Sequence, residues 1–211
     1  MSRKHWIFNN RTFPPVRENR KCGWDGSVET GRESAQMGWY FNIAGLLYPE
    51  GTVLDVGCGL GEGLDTLLKM GIDAQGIDID PKLEGRSNFI SIKNINEVDD
   101  RSFDHVLCID VIEHVLDDMT FFRNLVRVAR KSLYITTPNR AIFNVENECH
   151  CREYTHREFD AYFSPNELYG GEASGWGQLT PQLAYPHKTD SPQIMGVWKG
   201  NLRKWHSILK S

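Results

Sequence analysis

The residues best suited to chemistry in this sequence fall in three short stretches. The first is Val53-Leu-Asp-Val-Gly-Cys-Gly-Leu-Gly-Glu-Gly63, an apolar tetrad with one carboxylate, Asp55, running into glycines at 57, 59 and 61. Glycines placed there let the backbone turn tightly and approach a ligand closely, with the N–H groups of a following helix directed at it. The pattern alone describes a bare strand–helix turn, a dinucleotide site or a site for another adenosine ligand. Two carboxylates narrow it. Asp78 lies 21 positions beyond Gly57 at the end of the next apolar run, where its oxygens can accept hydrogen bonds from ribose hydroxyls. Asp55 precedes the glycines and Glu62 follows them, so a pyrophosphate would meet like charge in a partly desolvated site. A ligand that offers an ammonium group to Asp55, and a carboxylate to the loop's N–H groups, suits the stretch better than NAD.

The second stretch, Asp110-Val-Ile-Glu-His114, contains a candidate general base, His114, beside the carboxyl of Glu113. The third is Cys149-His-Cys-Arg-Glu-Tyr-Thr-His-Arg-Glu-Phe159. Cysteines at i and i+2 are not a zinc-finger spacing, so Cys149 and Cys151 read as thiols rather than metal ligands. Trp24, Trp39, Tyr40, Tyr154 and Phe163 either line a substrate pocket or pack in the core.

These stretches need a scaffold, and the pattern of the chain supplies one. Apolar residues at helical spacing predict a helix over Ala35–Leu47, ended by Pro49. Short strands are expected at Val53–Val56, Ala74–Ile79, Phe89–Ile92, Asp104–Ile109 and Ser132–Thr137, with helices over Glu62–Met70 and Met119–Arg130 and a short turn over Val128–Ser132. Alternation of this kind argues for a parallel sheet covered on both faces, with ligands at the carboxyl ends of its strands. Beyond Pro138 the alternation stops. Asn139–Tyr154 reads as a long loop, and Thr155-His-Arg-Glu158 as a capping box opening a helix through Phe163. Glu167–Tyr169 and Gln193–Trp198 are expected to close the sheet as an antiparallel pair, and Asn201–Lys210 to form a terminal helix.

With 211 residues, the chain suits one well-cored domain: an arm or cap over 1–34 and a single domain over 35–211, with 138–190 on the substrate side. A net charge of −4 and no basic stripe disfavour nucleic acid as a partner without excluding it. No apolar run is long enough to span a membrane, no secretory leader is evident, and the five cysteines form no even framework, so a reducing, cytoplasmic setting is expected.

Val53–Gly61 resembles the first motif of the class I S-adenosylmethionine-dependent methyltransferases. Gly76-Ile-Asp-Ile79 is similar to their second-strand acidic motif, Ser102–Val115 to their fourth-strand motif, and Tyr134-Ile-Thr-Thr-Pro-Asn139 to the end of their fifth strand. The resemblance runs in order from about Gly51 to Phe163. It implies an α/β, Rossmann-like three-layer sandwich on a seven-stranded, mostly parallel sheet with an antiparallel last strand. It implies S-adenosylmethionine as cofactor, with contacts from Asp55, Gly57, Cys58, Gly59 and Gly61, ribose contacts from Asp78, an adenine wall from Ile79, Asn94 and Ile95, and further contacts from Ile109 and Asp110. Asn94 stands where the family often has Asp.

The activity implied is methyl transfer to an oxygen, or failing that a nitrogen, of a small-molecule or glycan-type acceptor, with His114 and Glu113 as the catalytic candidates. Asp110, Glu113 and His114 also have spacing similar to two metal-assisted groups, the small-RNA 3′-terminal 2′-O-methyltransferases and certain quinone-pathway O-methyltransferases. With His150 they would hold a divalent ion that polarises vicinal hydroxyls. Metal-assisted methylation of RNA ends, and a non-catalytic cofactor-binding interaction domain, are therefore the alternative readings.

Overall fold

The computed structural model describes residues 7–8, 11–12, 34–47, 50–142, 149–171, 181–182, 191–200 and 202. Strands β1 (Ile7–Phe8) and β2 (Arg11–Thr12) form a small antiparallel pair. The main run is α1 (Ser34–Leu47), β3 (Val53–Val56), α2 (Glu62–Lys69), β4 (Ala74–Asp78), β5 (Ile90–Ile92), β6 (Phe103–Ile109), α3 (Asp118–Val128), β7 (Ala129–Pro138), α4 (His156–Phe163), β8 (Glu167–Gly171), β9 (Pro181–Gln182) and β10 (Gln193–Lys199). One-turn 3-10 helices occupy Pro81–Leu83, Ile95–Glu97 and Ile112–His114.

The main sheet has the order β5-β4-β3-β6-β7-β10-β8-β9. Strands β3 to β7 are parallel, and β10 runs antiparallel between β7 and β8. These are the seven expected strands; the two-residue β9 adds an eighth at the β8 edge. The order reverses between β3 and β6, so their carboxyl ends diverge and leave a crevice where ligands bind in open α/β sheets.

Period-two alternation divides the strands between two cores. Leu54, Val56, Val106, Cys108, Leu133 and Ile135 face the side packed by α3 and α4, with Phe122, Phe159, Phe163 and Trp198. Val53, Leu107, Ile109, Tyr134 and Met195 face the other side with α1 and α2, through Trp39, Tyr40, Ile43, Leu64 and Leu67. Trp39, Tyr40, Tyr154 and Phe163 are core residues with almost no exposure, which decides between the two roles open to them. Trp24 and Cys22 lie outside the described residues, as do most of the 1–34 arm and of the terminal helix expected over Asn201–Lys210.

Helix α3 ends two residues earlier than its apolar spacing suggests, and the turn expected over Val128–Ser132 is the start of a ten-residue strand. Ala129 is fully buried and turns extended to pair with Phe103 of β6; an inward Ala satisfies helix and strand spacing equally, and the ladder decides. Helix α4 opens with the expected reciprocal cap between Thr155 and Glu158, and Arg140 clamps the Glu158 carboxylate at 2.7 Å. No helix among the described residues is long and apolar enough to cross a membrane.

Helix α1 lies on α2 because Gly63 leaves room for it: a Cβ there would sit 2.1 Å from Cζ of the Tyr40 ring. Alanine in place of a helical glycine ordinarily stabilises, by up to ~1 kcal/mol in a helix interior and less in the first turn, where Gly63 lies. Here the overlap with a buried ring outweighs that gain, and Gly63→Ala is expected to destabilise the protein by about 1–3 kcal/mol. A lower urea unfolding midpoint at unchanged slope checks this; an unchanged or higher midpoint would show that α1 shifts freely on α2.

Candidate functional site

The glycine loop leaves β3 with Gly57, Gly59 and Gly61 all left-handed, at φ 74°, 55° and 87°. Gly57 is additionally crowded: a Cβ there would meet Cγ2 of Val111 at 2.5 Å, so the loop packs directly against the turn after β6. The loop N–H groups expected to face a ligand are largely spent inside the protein. Gly57 and Cys58 donate to the carbonyl of Ile77, Gly61 donates to that of Cys58, and Gly59 donates to Oδ2 of Asp78 at 2.9 Å. The glycines thus shape the path of the chain more than they supply donors.

Asp78 ends β4 with its other oxygen accepting from the Asp80 amide at 3.0 Å. Two backbone donors fix the carboxylate while leaving it lone pairs for hydroxyls. Ile79, beside it, is 70 % exposed and offers an apolar surface at the crevice. Asn94 and Ile95, the other expected members of the adenine wall, lie just after β5. The Asn94 side-chain oxygen caps the 3-10 turn that follows it, and Ile95 buries its side chain in the α3 core. Cys58 and Ile109 likewise bury their side chains.

Asp55 is fully buried on the α1 side of β3, and Tyr40 donates to its Oδ2 at 2.8 Å. At the end of β6, Asp110 adopts φ 51°, a left-handed conformation that aspartate tolerates better than most residues. The Thr136 hydroxyl donates to its Oδ1 at 2.6 Å, and Nε2 of Gln193 donates to its Oδ2 at 3.1 Å.

From Asp110 the chain enters the turn carrying Glu113 and His114. Cys151 and Arg152 donate their amides to the Glu113 carbonyl at 2.7 and 3.1 Å, which brings His150 alongside. One ligand atom from each of Glu113, His114 and His150 lies within 4.8 Å of the others, and the two imidazoles meet edge to face. Asp110, the fourth residue of the expected cluster, stands close enough to act on their charges but is held by Thr136 and Gln193. Cys149 and Cys151 are thiols, and Cys151 directs its sulfur to the His114 carbonyl.

The hydrogen bonds settle the tautomers. Nδ1 of His114 is 3.0 Å from the Cys149 carbonyl, which only accepts, so Nδ1 carries the proton and Nε2 the lone pair. Nδ1 of His150 likewise faces the Glu153 carboxylate at 3.0 Å. Burial pushes both imidazoles below the ordinary histidine range; the Cys149 carbonyl partly offsets this at His114, and at His150 the neighbouring His114 adds to it. Burial, then the Asp110 charge, pushes the Glu113 carboxyl well above the ordinary glutamate range. No hydrogen bond of good geometry reaches either of its oxygens among the described residues. The result is one carboxyl that prefers to be neutral beside two neutral imidazoles with fixed lone pairs.

The segment bearing His150 is anchored by a polar knot that the sequence did not reveal. Arg152, Tyr154 and Tyr162 all converge on Asp118, the buried first residue of α3, at 3.1, 2.6 and 3.1 Å. An aspartate in a helix's first turn reads as a dipole partner, and nothing in its spacing announces three buried partners.

A family profile described as a methyltransferase domain matches residues 54–135. The chain is 30% identical over 107 residues to a ubiquinone biosynthesis O-methyltransferase of Xanthomonas campestris pv. campestris, covering 44% of this chain and 45% of that protein. It is 32% identical over 119 residues to a probable S-adenosylmethionine-dependent methyltransferase of Mycobacterium tuberculosis, covering 52% and 43%. These matches span less than half the length of the curated relatives. Among solved structures, a SAM-dependent methyltransferase of Thermotoga maritima superposes with a TM-score of 0.58 at 15% identity, over 78% of this chain and 89% of that one.

Because Glu113 ionises more readily in the unfolded chain than in the folded one, its burial costs stability above the unfolded carboxyl range and costs little below it. Glu113→Gln is expected to raise the melting temperature by a few degrees at pH 8 in the presence of chelator, about 1 kcal/mol for a chain of this size. The gain should shrink as the pH falls toward 4.5. Melting curves at both pH values check it; an equal gain at both would detach the effect from the carboxyl's titration.

Proposed function

We propose that this chain, which carries a methyltransferase domain of the class I S-adenosylmethionine-dependent family, transfers the methyl group of S-adenosylmethionine to an oxygen of a small-molecule or glycan-type acceptor. The observation that carries the reading is the Glu113–His114–His150 cluster beside the turn that closes over the glycine loop. In this reading Asp55 takes the charge of the cofactor's ammonium group, Asp78 its ribose hydroxyls and Ile79 its adenine, while the 138–190 region shapes the acceptor side. Methyl transfer to a sulfonium-activated carbon needs an aligned nucleophile and, for a hydroxyl, removal of its proton. Nε2 of His114 has the lone pair for that. The likeness to the Xanthomonas O-methyltransferase supports oxygen over nitrogen.

A second reading is favoured by the same cluster. One carboxyl without good hydrogen bonds and two imidazoles with lone pairs at Nε2, each oriented by a partner at Nδ1, are a donor set suited to a divalent cation. Such an ion would lower the proton affinity of an acceptor hydroxyl and hold Glu113 ionised.

Calorimetry tests the cofactor: S-adenosylmethionine should bind and NAD should not, and Asp78→Ala should weaken binding about 10- to 100-fold through loss of charged hydrogen bonds. Binding of NAD alone overturns the cofactor reading. Transfer of labelled methyl to panels of catechols, sugars and RNA 3′ ends tests the acceptor. If His114 is the base, His114→Ala lowers transfer about 10²- to 10⁴-fold. Since protonation removes the base and burial lowers the pH at which it occurs, transfer by the intact protein should hold below pH 6.5 before failing in acid. Loss of transfer in chelator, restored by Mg²⁺ or Mn²⁺, selects the cation reading. Label found only on amines, or preferentially on RNA ends, overturns the acceptor proposed.

A further inference from the structure

Gln193 begins β10, far in sequence from both the glycine loop and the 110–114 turn. Its side chain nevertheless bridges two elements of the site. The Trp39 indole N–H of α1 donates to Oε1 of Gln193, and Nε2 of Gln193 donates to Oδ2 of Asp110 at 3.1 Å. An indole N–H can only donate and a carboxylate can only accept, so the two ends fix the orientation of the amide between them. Both Trp39 and Gln193 are buried, which removes water as a substitute partner.

The residue held at the far end needs holding. Asp110 sits in a left-handed conformation that costs an L-residue energy, and its backbone sets the direction of the turn carrying Glu113 and His114. Thr136 fixes one carboxylate oxygen and Gln193 the other. At the near end, Trp39 is followed by Tyr40, the donor to Asp55. Adjacent residues of one helix thus reach the carboxylate below the cofactor loop and, through Gln193, the carboxylate at the head of the acceptor turn.

We infer that Gln193 is a positioning residue: anchored by Trp39, it holds Asp110 in the conformation that presents Glu113 and His114 to the acceptor. The inference rests on the methyltransferase reading for what the turn does, but the relay has a readout of its own. Amide hydrogen exchange is followed by mass spectrometry on the protein saturated with S-adenosylhomocysteine, whose affinity is measured separately by calorimetry.

In Gln193→Leu, the amides of residues 110–115 are expected to exchange at least tenfold faster than in the native protein. The β6–β7 ladder amides should be unchanged and the affinity for S-adenosylhomocysteine within about threefold of native. Trp39→Phe, which keeps the ring but removes the donor, should give a smaller acceleration at the same amides. The double variant should exchange no faster there than Gln193→Leu alone, since both act through one bridge. Exchange at 110–115 within twofold of native in Trp39→Phe and in any folded Gln193→Leu overturns the relay, as does acceleration that adds in the double variant. Loss of S-adenosylhomocysteine binding in the variants alone also overturns it, because the bridge would then support the cofactor and not the acceptor turn. Failure of the native protein to bind S-adenosylhomocysteine would instead sink the cofactor reading.

Discussion

A carboxylate buried in a central strand is the constraint around which the rest is arranged. Asp55 has no exposed surface, and an ion there is costly unless donors or an opposite charge compensate it. Tyr40 supplies one donor, which holds α1 against α2, and the Tyr40 ring in turn obliges residue 63 to be glycine. The same helix then delivers Trp39 to Gln193. One polar atom in an apolar strand therefore explains the placement of a helix, a glycine and a bridge to the opposite side of the crevice. A hydrophobic residue at 55 would relax all of these demands.

The elements marked by a local signal at their ends were legible in the sequence. The spacing fixes Val53–Val56 to the residue, because four apolar-to-glycine positions leave no alternative register, and the Thr155–Glu158 cap announces α4. Boundaries blurred where one residue satisfied two patterns, as Ala129 does. The partners of the loop N–H groups were hidden for a related reason. Glycine tells that a backbone is unusual, but not where its N–H groups go, and here β4 takes most of them.

The site divides along the same line. Asp78, Glu113, His114 and His150 were recognisable from residue type and spacing. Gln193 was not, since a lone amide at the start of a strand has no periodic signature and its partners lie 83 and 154 positions away. Nor was the Asp118 knot, whose value lies in fixing the segment that brings His150 to Glu113. Burying Asp118 with Arg152 and two phenols costs desolvation that the pairing offsets but does not greatly exceed, so the knot serves order more than stability.

The place of β10 in the sheet has a consequence for how the molecule is made. It is the last strand among the described residues, yet it lies between β7 and β8, bonded to both. Until residues 193–199 leave the ribosome, β7 and β8 each present an open edge, and such edges invite pairing with other nascent chains. Insertion of this single late strand is what ties β7, β8 and the Asp110 carboxylate together.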